Sequence, residues 1–158
     1  MIVFLSLGAN LGNREETLNK ALELLSEQVG PLIKRSSFFY SEPWGFDSPN
    51  DFCNLCASFE TSLTPTDLLC TTQAIELQLG RQKELKIWSY GQMRKYSDRS
   101  IDIDILLLFD DAGQELTVNC HLSPVNFLIV PHPLMQKRDF VMIPLREIAP
   151  DLPLFSKK

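Results

Sequence analysis

The chain has 158 residues, 44 % apolar and 22 % charged, with a formal net charge of −5. This length buries a full core without disulfide or metal staples and predicts a single domain over residues 1–158, while the acidic balance argues against a general binder of nucleic acid. No apolar run reaches the length of a membrane span, and the apolar start at 2–7 has neither basic residues before it nor a cleavage site after it, so a cytoplasmic protein is expected.

Residues 1–7 read as an apolar strand, ended by the turn-rich Gly8-Ala9-Asn10-Leu11-Gly12-Asn13. Asn13 is placed to cap a helix, with Glu16 completing a capping-box pair. Leu18, Ala21, Leu22, Leu25 and Val29 then recur at helical spacing until Gly30-Pro31 stops the run. Residues 32–41 read as a second strand. The following stretch, 42–51, is a loop by composition but carries Trp44 and Phe46, aromatics that are costly on a loop unless they close over something. Residues 52–62 predict a third strand, with Leu55, Ala57 and Phe59 on one face and Asn54, Cys56, Ser58 and Glu60 on the other. Thr64 then caps a second helix whose first turn holds Pro65, whose inner stripe is Leu68, Thr72, Ile75 and Leu79, and which ends at Gly80.

Between 81 and 99 lie Arg81, Lys83, Lys86, Arg94, Lys95 and Arg99 against only Glu84 and Asp98, a net of +4 inside an acidic protein. A short basic stretch of this kind suits a local anion better than a long polyanion, although a solvated loop would have the same composition. The four cysteines, Cys53, Cys56, Cys70 and Cys120, lack the second Cys-x-x-Cys or paired histidines of a zinc site. Cys53 and Cys56 fall on opposite faces of a strand, and all four are read as reduced thiols.

Residues 99–109 contain the most distinctive pattern. Ile101, Ile103, Ile105 and Leu107 occupy every second position and predict one apolar face of a strand, while Asp102 and Asp104 share the other, their Cα atoms roughly 6.5–7 Å apart. Two carboxylates so placed repel one another unless a cation lies between them or water reaches them. They could hold two hard cations about 3.5–4 Å apart, as in metal-assisted phosphoryl or nucleotidyl transfer, or simply be hydrated at a strand end. The element order is β-α-β-β-α-β, which predicts an α+β, ferredoxin-like antiparallel sheet with two helices on one face and a proline-punctuated C-terminal extension to cover the other.

With these parts in place, the chain resembles the 6-hydroxymethyl-7,8-dihydropterin pyrophosphokinase family. The resemblance runs through Leu7-Gly8-Ala9-Asn10-Leu11-Gly12-Asn13, Glu42-Pro43-Trp44-Gly45, Phe52-Cys53-Asn54, Gln73-Ala74-Ile75-Glu76 and Gly80-Arg81. Its most specific pieces are Asp98-Arg99-Ser100-Ile101-Asp102-Ile103-Asp104 and Val130-Pro131-His132-Pro133, followed by Arg138-Asp139-Phe140-Val141. It implies transfer of the β,γ-diphosphate of ATP, the co-substrate, to a pterin alcohol in folate biosynthesis, with AMP released. Asp102 and Asp104 would hold two Mg²⁺ ions, and either could accept the alcohol proton. Arg81, Lys83, Arg99 and Arg138 would grip phosphate, with Arg81 and Arg99 counted as catalytic. Gln73, Glu76, Ile105 and His132 would line the nucleotide. Phe52 and Phe140 would stack on the pterin, Asn54 would read its edge, and the loop at Glu42, Pro43 and Trp44 would add backbone contacts.

Three features depart from the family pattern. Phe52 stands where many members have tyrosine, Lys83 stands where arginine is frequent, and a longer basic loop leaves Trp88, Arg94 and Lys95 without counterparts. The expected partners are the two small-molecule substrates, with neither membrane nor nucleic acid, and the chain is expected to act as a monomer. The stretch 81–99 is expected to be a lid over the phosphates. Two other classes share some of these features. A different two-metal nucleotidyl transferase would release pyrophosphate instead of AMP, and a non-catalytic domain sensing small molecules would need no magnesium.

Overall fold

The apolar alternation of the sequence becomes one antiparallel sheet in the computed structural model, which describes residues 1–81, 98–124 and 126–156. Strands β1 (Ile2–Ala9), β2 (Leu32–Arg35), β3 (Phe39–Ser41), β4 (Phe52–Glu60) and β5 (Asp102–Phe109) form it in the order β2-β4-β1-β5, with β3 also paired to β4. The expected second strand, 32–41, is therefore two short ones. Between them the Ser36 hydroxyl accepts the Cys56 N–H at 2.9 Å and the Ser36 N–H donates to the Cys56 carbonyl at 2.8 Å, so a side chain replaces part of the ladder and lets the chain bend.

Helices α1 (Arg14–Gln28) and α2 (Pro65–Gln78) start where their caps predict. Asn13 Oδ1 accepts the Glu16 N–H at 3.2 Å, and Thr64 Oγ1 accepts the Asp67 N–H at 3.1 Å. Leu18, Leu22 and Leu25 of α1 and Leu68 and Ile75 of α2 are buried against Val3, Leu5, Leu55, Phe59, Ile103 and Ile105, so both helices cover one face of the sheet. Gly30 ends this first crossover with φ +148°, and a Cβ there would lie 1.9 Å from the Glu60 carbonyl oxygen, so only glycine fits.

The opposite face is divided. Past β5 the chain makes a hairpin of β6 (Val118–Ser123) and β7 (Asn126–Val130), a 3₁₀ turn at Met135–Lys137, helix α3 (Asp139–Ile148) and a last turn, α4 (Pro153–Ser156). Val141, Leu145 and Ile148 of α3 pack on Phe4, Cys56, Leu106 and Leu107. The tail thus covers one end of this face, and the other end, which carries Asp102 and Asp104, stays open as a cleft. Among the described residues no helix is long and apolar enough to cross a membrane.

One expectation about β5 is corrected. Ile103 and Ile105 face the helix-covered core, but Leu107 does not; Leu108 takes that place. Leu5 pairs with Ile105 and Phe4 with Leu107, so Leu106 is an extra residue, a β-bulge that puts both Leu106 and Leu107 under α3. The four cysteines are free thiols: Cys53 lies on the helix-covered face, Cys56 beneath α3, Cys70 is exposed and Cys120 half-buried. Lys83, Trp88, Arg94 and Lys95, and with them most of the expected lid, lie outside the described residues.

Candidate active site

The open end of the sheet is built on two rows of residues that cross three strands. Gly8 of β1 pairs with Asn54 of β4 on one side and Asp102 of β5 on the other, and Ser6 pairs with Cys56 and Asp104 in the same way. At a strand spacing of about 4.8 Å, Asn54 and Asp102 stand roughly 10 Å apart across the floor. β1 runs on through Ala9, so Gly8 is a strand residue and not the start of the turn its type suggested. A Cβ on Gly8 would lie 2.9 Å from Asn54 Oδ1 and 3.6 Å from the Phe52 ring, so the missing side chain makes room for both.

Asn54 is buried, and its Nδ2 is committed, donating to the Phe39 carbonyl at 3.0 Å and to Ser41 Oγ at 2.8 Å. That leaves Oδ1 turned toward Gly8, an acceptor at the floor of the cleft. Aromatic walls rise around it. Phe46 meets Phe52 edge to face with ring centroids 6.2 Å apart, and Phe52, Trp44 and Phe140 all line the cleft. Glu42 lines it too, whereas its neighbour Pro43 does not.

The other half of the cleft is ionic. Asp102 Oδ1 lies 2.8 Å from Arg81 Nη1, and its Oδ2 lies 3.2 Å from Arg99 Nη1. Asp104 faces the Arg138 guanidinium at 3.6 Å. Arg138 is only 6 % exposed and stacks over the Trp44 ring at 4.5 Å, with Phe140 at 5.7 Å, so it bridges the ionic and aromatic halves. Behind this group Glu76 Oε2 meets Arg81 at 2.6 Å while its Oε1 accepts the Ile103 N–H of β5 at 2.8 Å.

Burial, and secondarily the charge of Asp102, pushes the Glu76 carboxyl above its ordinary 4.5, against the pull of Arg81. A group whose folded pKa is raised holds its proton more tightly in the native state, so its contribution to stability falls as pH rises from the ordinary toward the raised value. Glu76→Gln keeps an acceptor for Ile103 and removes the ionisation. Its stability relative to the parent protein is therefore expected to increase with pH across that window, measured by urea denaturation at a series of pH values. A decrease would mean that Arg81 governs this carboxyl and holds its pKa down.

The donor set suits a hard divalent ion. Asp102 and Asp104 offer carboxylate oxygens on one face of one strand, and no group of three or more His, Cys, Asp or Glu among the described residues could hold a metal. Such a pair fits magnesium, which keeps several waters and takes further ligands from phosphate. Three arginines face three acids here, so an entering polyphosphate and metal can exchange Arg–carboxylate pairs for Arg–phosphate and metal–carboxylate ones.

The structure brings Asp102, Asp104, Arg99, Arg138, Glu42, Trp44, Phe52, Asn54 and Phe140 into one cleft, with Arg81 and Glu76 bound to it through Asp102. Besides Pro43, three candidates stand elsewhere. The Gln73 amide pairs with that of Asn126, Nε2 donating at 2.8 Å, which ties α2 to β7. The Ile105 side chain is in the helix-covered core, which leaves only its backbone on the outer edge of β5. The His132 backbone N–H donates to the Leu106 carbonyl at 3.0 Å, and its Nδ1 accepts the Leu134 N–H at 3.2 Å, which fixes the ring against its own turn.

Sequence reasoning assigned no role to Ser6, Gly8 or Ser41, all of which line the cleft, nor to Asn10 and Asp98 beside it; Phe46, expected with Trp44 to close over something, lines it as well. A glycine inside an otherwise apolar strand run was the available signal for Gly8. Asn10 and Asp98 hydrogen-bond at 2.6 Å across 88 residues of sequence, a pairing that no local pattern reveals. Ser48, Asn10 and Asn50 hold the Asp98 carboxyl below its ordinary value by hydrogen bonding.

Comparison with known proteins identifies the family. Residues 4–150 match the family described as 7,8-dihydro-6-hydroxymethylpterin-pyrophosphokinase (HPPK). A 2-amino-4-hydroxy-6-hydroxymethyldihydropteridine pyrophosphokinase of Porphyromonas gingivalis is 46 % identical over 149 residues, covering 94 % of this chain and 91 % of the relative. The Aquifex aeolicus protein of that name is 35 % identical over 157 residues, covering 98 % and 86 %. In fold the chain is similar to a solved HPPK-DHPS chain from Plasmodium falciparum, with a TM-score of 0.65 at 15 % identity over 92 % of this chain; it spans 38 % of that longer one. A further HPPK-DHPS crystal structure, in complex with substrates, gives a TM-score of 0.62 at 16 % identity, covering 94 % of this chain and 40 % of the other. With the family match spanning nearly its whole length and relatives this similar, the chain belongs to the 7,8-dihydro-6-hydroxymethylpterin-pyrophosphokinase family.

Proposed function

We propose that the cleft transfers the β,γ-diphosphate of ATP to the hydroxymethyl group of 6-hydroxymethyl-7,8-dihydropterin in folate biosynthesis. The alcohol gives its proton to Asp102 or Asp104 as its oxygen attacks the β-phosphorus, the bond from that phosphorus to the α–β bridging oxygen breaks, and AMP leaves. Family membership makes the chain a pyrophosphokinase, an ATP-dependent transferase. The observation that carries the finer reading is the row Asn54–Gly8–Asp102, which sets an aromatic slot with an amide floor directly beside a carboxylate pair ringed by arginines. We further read the strand order as a ferredoxin-like split βαβ, with the tail as its extension.

Two Mg²⁺ ions held between Asp102, Asp104 and the triphosphate would neutralise phosphate charge and align the attack. The residues of the chain do the rest. Phe52 and Phe140 stack on the flat pterin, and Asn54 Oδ1 accepts from an N–H on its edge. Arg99 and Arg81 turn their planar forks from Asp102 to phosphate oxygens, and Arg138 does so from Asp104. Glu76 keeps Arg81 at hand and anchors α2 to β5. The Ile105 backbone lies on the outer edge of β5 between Ile103, whose N–H is taken by Glu76, and Leu106, whose carbonyl is taken by His132, and there it can pair with the nucleotide base. Incubation with ATP, magnesium and 6-hydroxymethyl-7,8-dihydropterin tests the reading: AMP should form only when the pterin is present. Release of pyrophosphate, or AMP formation indifferent to pterin, would overturn it.

A further inference from the structure

The two halves of the cleft come from segments that share no strand. Arg99 stands just ahead of β5, and the loop 42–51 with Trp44 and Phe46 stands just ahead of β4. One buried side chain ties them together. Asn10, only 3 % exposed, sits one residue beyond β1, between these two segments. Its backbone N–H donates to the Arg99 carbonyl at 3.2 Å, and its Oδ1 accepts the Arg99 N–H at 2.8 Å. Nδ2 donates to Asp98 Oδ1 at 2.6 Å and to the Asn50 carbonyl at 3.2 Å. Asp98 Oδ2 in turn accepts from Asn50 Nδ2 at 3.2 Å.

The geometry points to Asn10, working with Asp98, as a positioning residue that fixes the phosphate-binding Arg99 and the aromatic 42–51 loop relative to each other; this rests on the function proposed above. Both peptide groups flanking the Arg99 Cα are gripped, so the origin of the guanidinium that meets Asp102 is set by Asn10. The same amide holds the loop two residues before Phe52. The site needs one acceptor and two donors on a short stem, and asparagine alone supplies them. Aspartate would set a second carboxylate against Asp98, glutamine is a methylene too long, and leucine would leave the Arg99 N–H and the Asn50 carbonyl unsatisfied. Positioning of this kind matters because misplacing a reacting group by about 1 Å can cost on the order of 10²-fold in rate.

Asn10→Asp keeps the acceptor for the Arg99 N–H and removes both donors, so that an oxygen faces Asp98 and the Asn50 carbonyl. It is expected to lower kcat at saturating substrates by about tenfold or more, within the range that misplacement produces. Adding Asp98→Asn restores that bond with its polarity inverted, since the new amide can donate to the carboxylate introduced by the first substitution and accept from Asn50. The double variant restores the bond to residue 98 but not the one to the Asn50 carbonyl, so it should recover part of the lost kcat and not all of it. A purely structural role would move the melting temperature of these variants and leave kcat per folded molecule unchanged, which would overturn the inference. Should Asn10→Asp fail to fold, Asp98→Asn alone decides the matter. This exposed residue would then turn an N–H toward Asn50 Nδ2, loosening only the loop side, and the pterin KM should rise several-fold with nucleotide affinity unchanged. An unchanged pterin KM would overturn the inference. Parent protein that makes no pterin-dependent AMP overturns the underlying function and this role together, whereas an active parent with unaffected variants overturns this role alone.

Discussion

Asp102→Asn and Asp104→Asn are each expected to lower turnover at least about 10²-fold, the scale of removing one electrostatic stabiliser of a transition state. Each keeps the size of the side chain and one acceptor oxygen and removes the charge that a hard cation requires. The fold should persist, because Arg81 and Arg138, which face these acids, have other partners. Arg81 retains Glu76 at 2.6 Å, and Arg138 retains the Trp44 ring at 4.5 Å. Steady-state AMP release at saturating magnesium, beside far-ultraviolet circular dichroism, checks both statements. Near-normal turnover in either variant would remove the case for carboxylate-held magnesium.

Gly8→Ala should act on the other substrate. The added methyl would meet Asn54 Oδ1 at 2.9 Å, and Asn54 cannot retreat without breaking its bonds to Phe39 and Ser41. Pterin affinity is expected to fall by roughly tenfold or more, a loss of about 1.4 kcal/mol per decade. Affinity for a non-hydrolysable ATP analogue should stay within twofold, because the contact is with the amide floor and not with the arginines. Titrations of each ligand alone separate the two effects. Equal weakening of both would mean that the methyl distorts the whole sheet end, and the floor would lose its assigned role.

Much of this architecture was legible in the sequence wherever a local rule governs it. The i, i+2 spacing of Asp102 and Asp104 put both on one face because strands have period two, and Asn13 and Thr64 announced helix starts because orphan N–H groups need acceptors. What could not be read depends on partners distant in sequence. Gly8 resembles a turn residue until Asn54 is set opposite it, and residues 32–41 resemble one strand until the Ser36 hydroxyl is seen taking a ladder position. Arg138 was placed only by family resemblance, since nothing nearby in sequence says that a tail arginine stacks on Trp44 and faces Asp104. Asn10 carried no local signal of its role, because its worth lies in three segments that only the fold brings together.

The extra residue in β5 has an effect beyond local geometry. A regular strand has a single phase: shifting any residue in register rotates every side chain along it to the other face. With Leu106 interposed, β5 has two phases. Its first half is indexed by pairing with Gly8 and Ser6, which aims Asp102 and Asp104 into the cleft; its second half is indexed by Phe4 and by packing under α3. His132 docks its N–H on the Leu106 carbonyl, so the tail that carries Arg138 takes its origin from this same phase boundary. The two ends of the strand are thus aligned on different partners, and the arm that faces Asp104 is measured from the point where they meet.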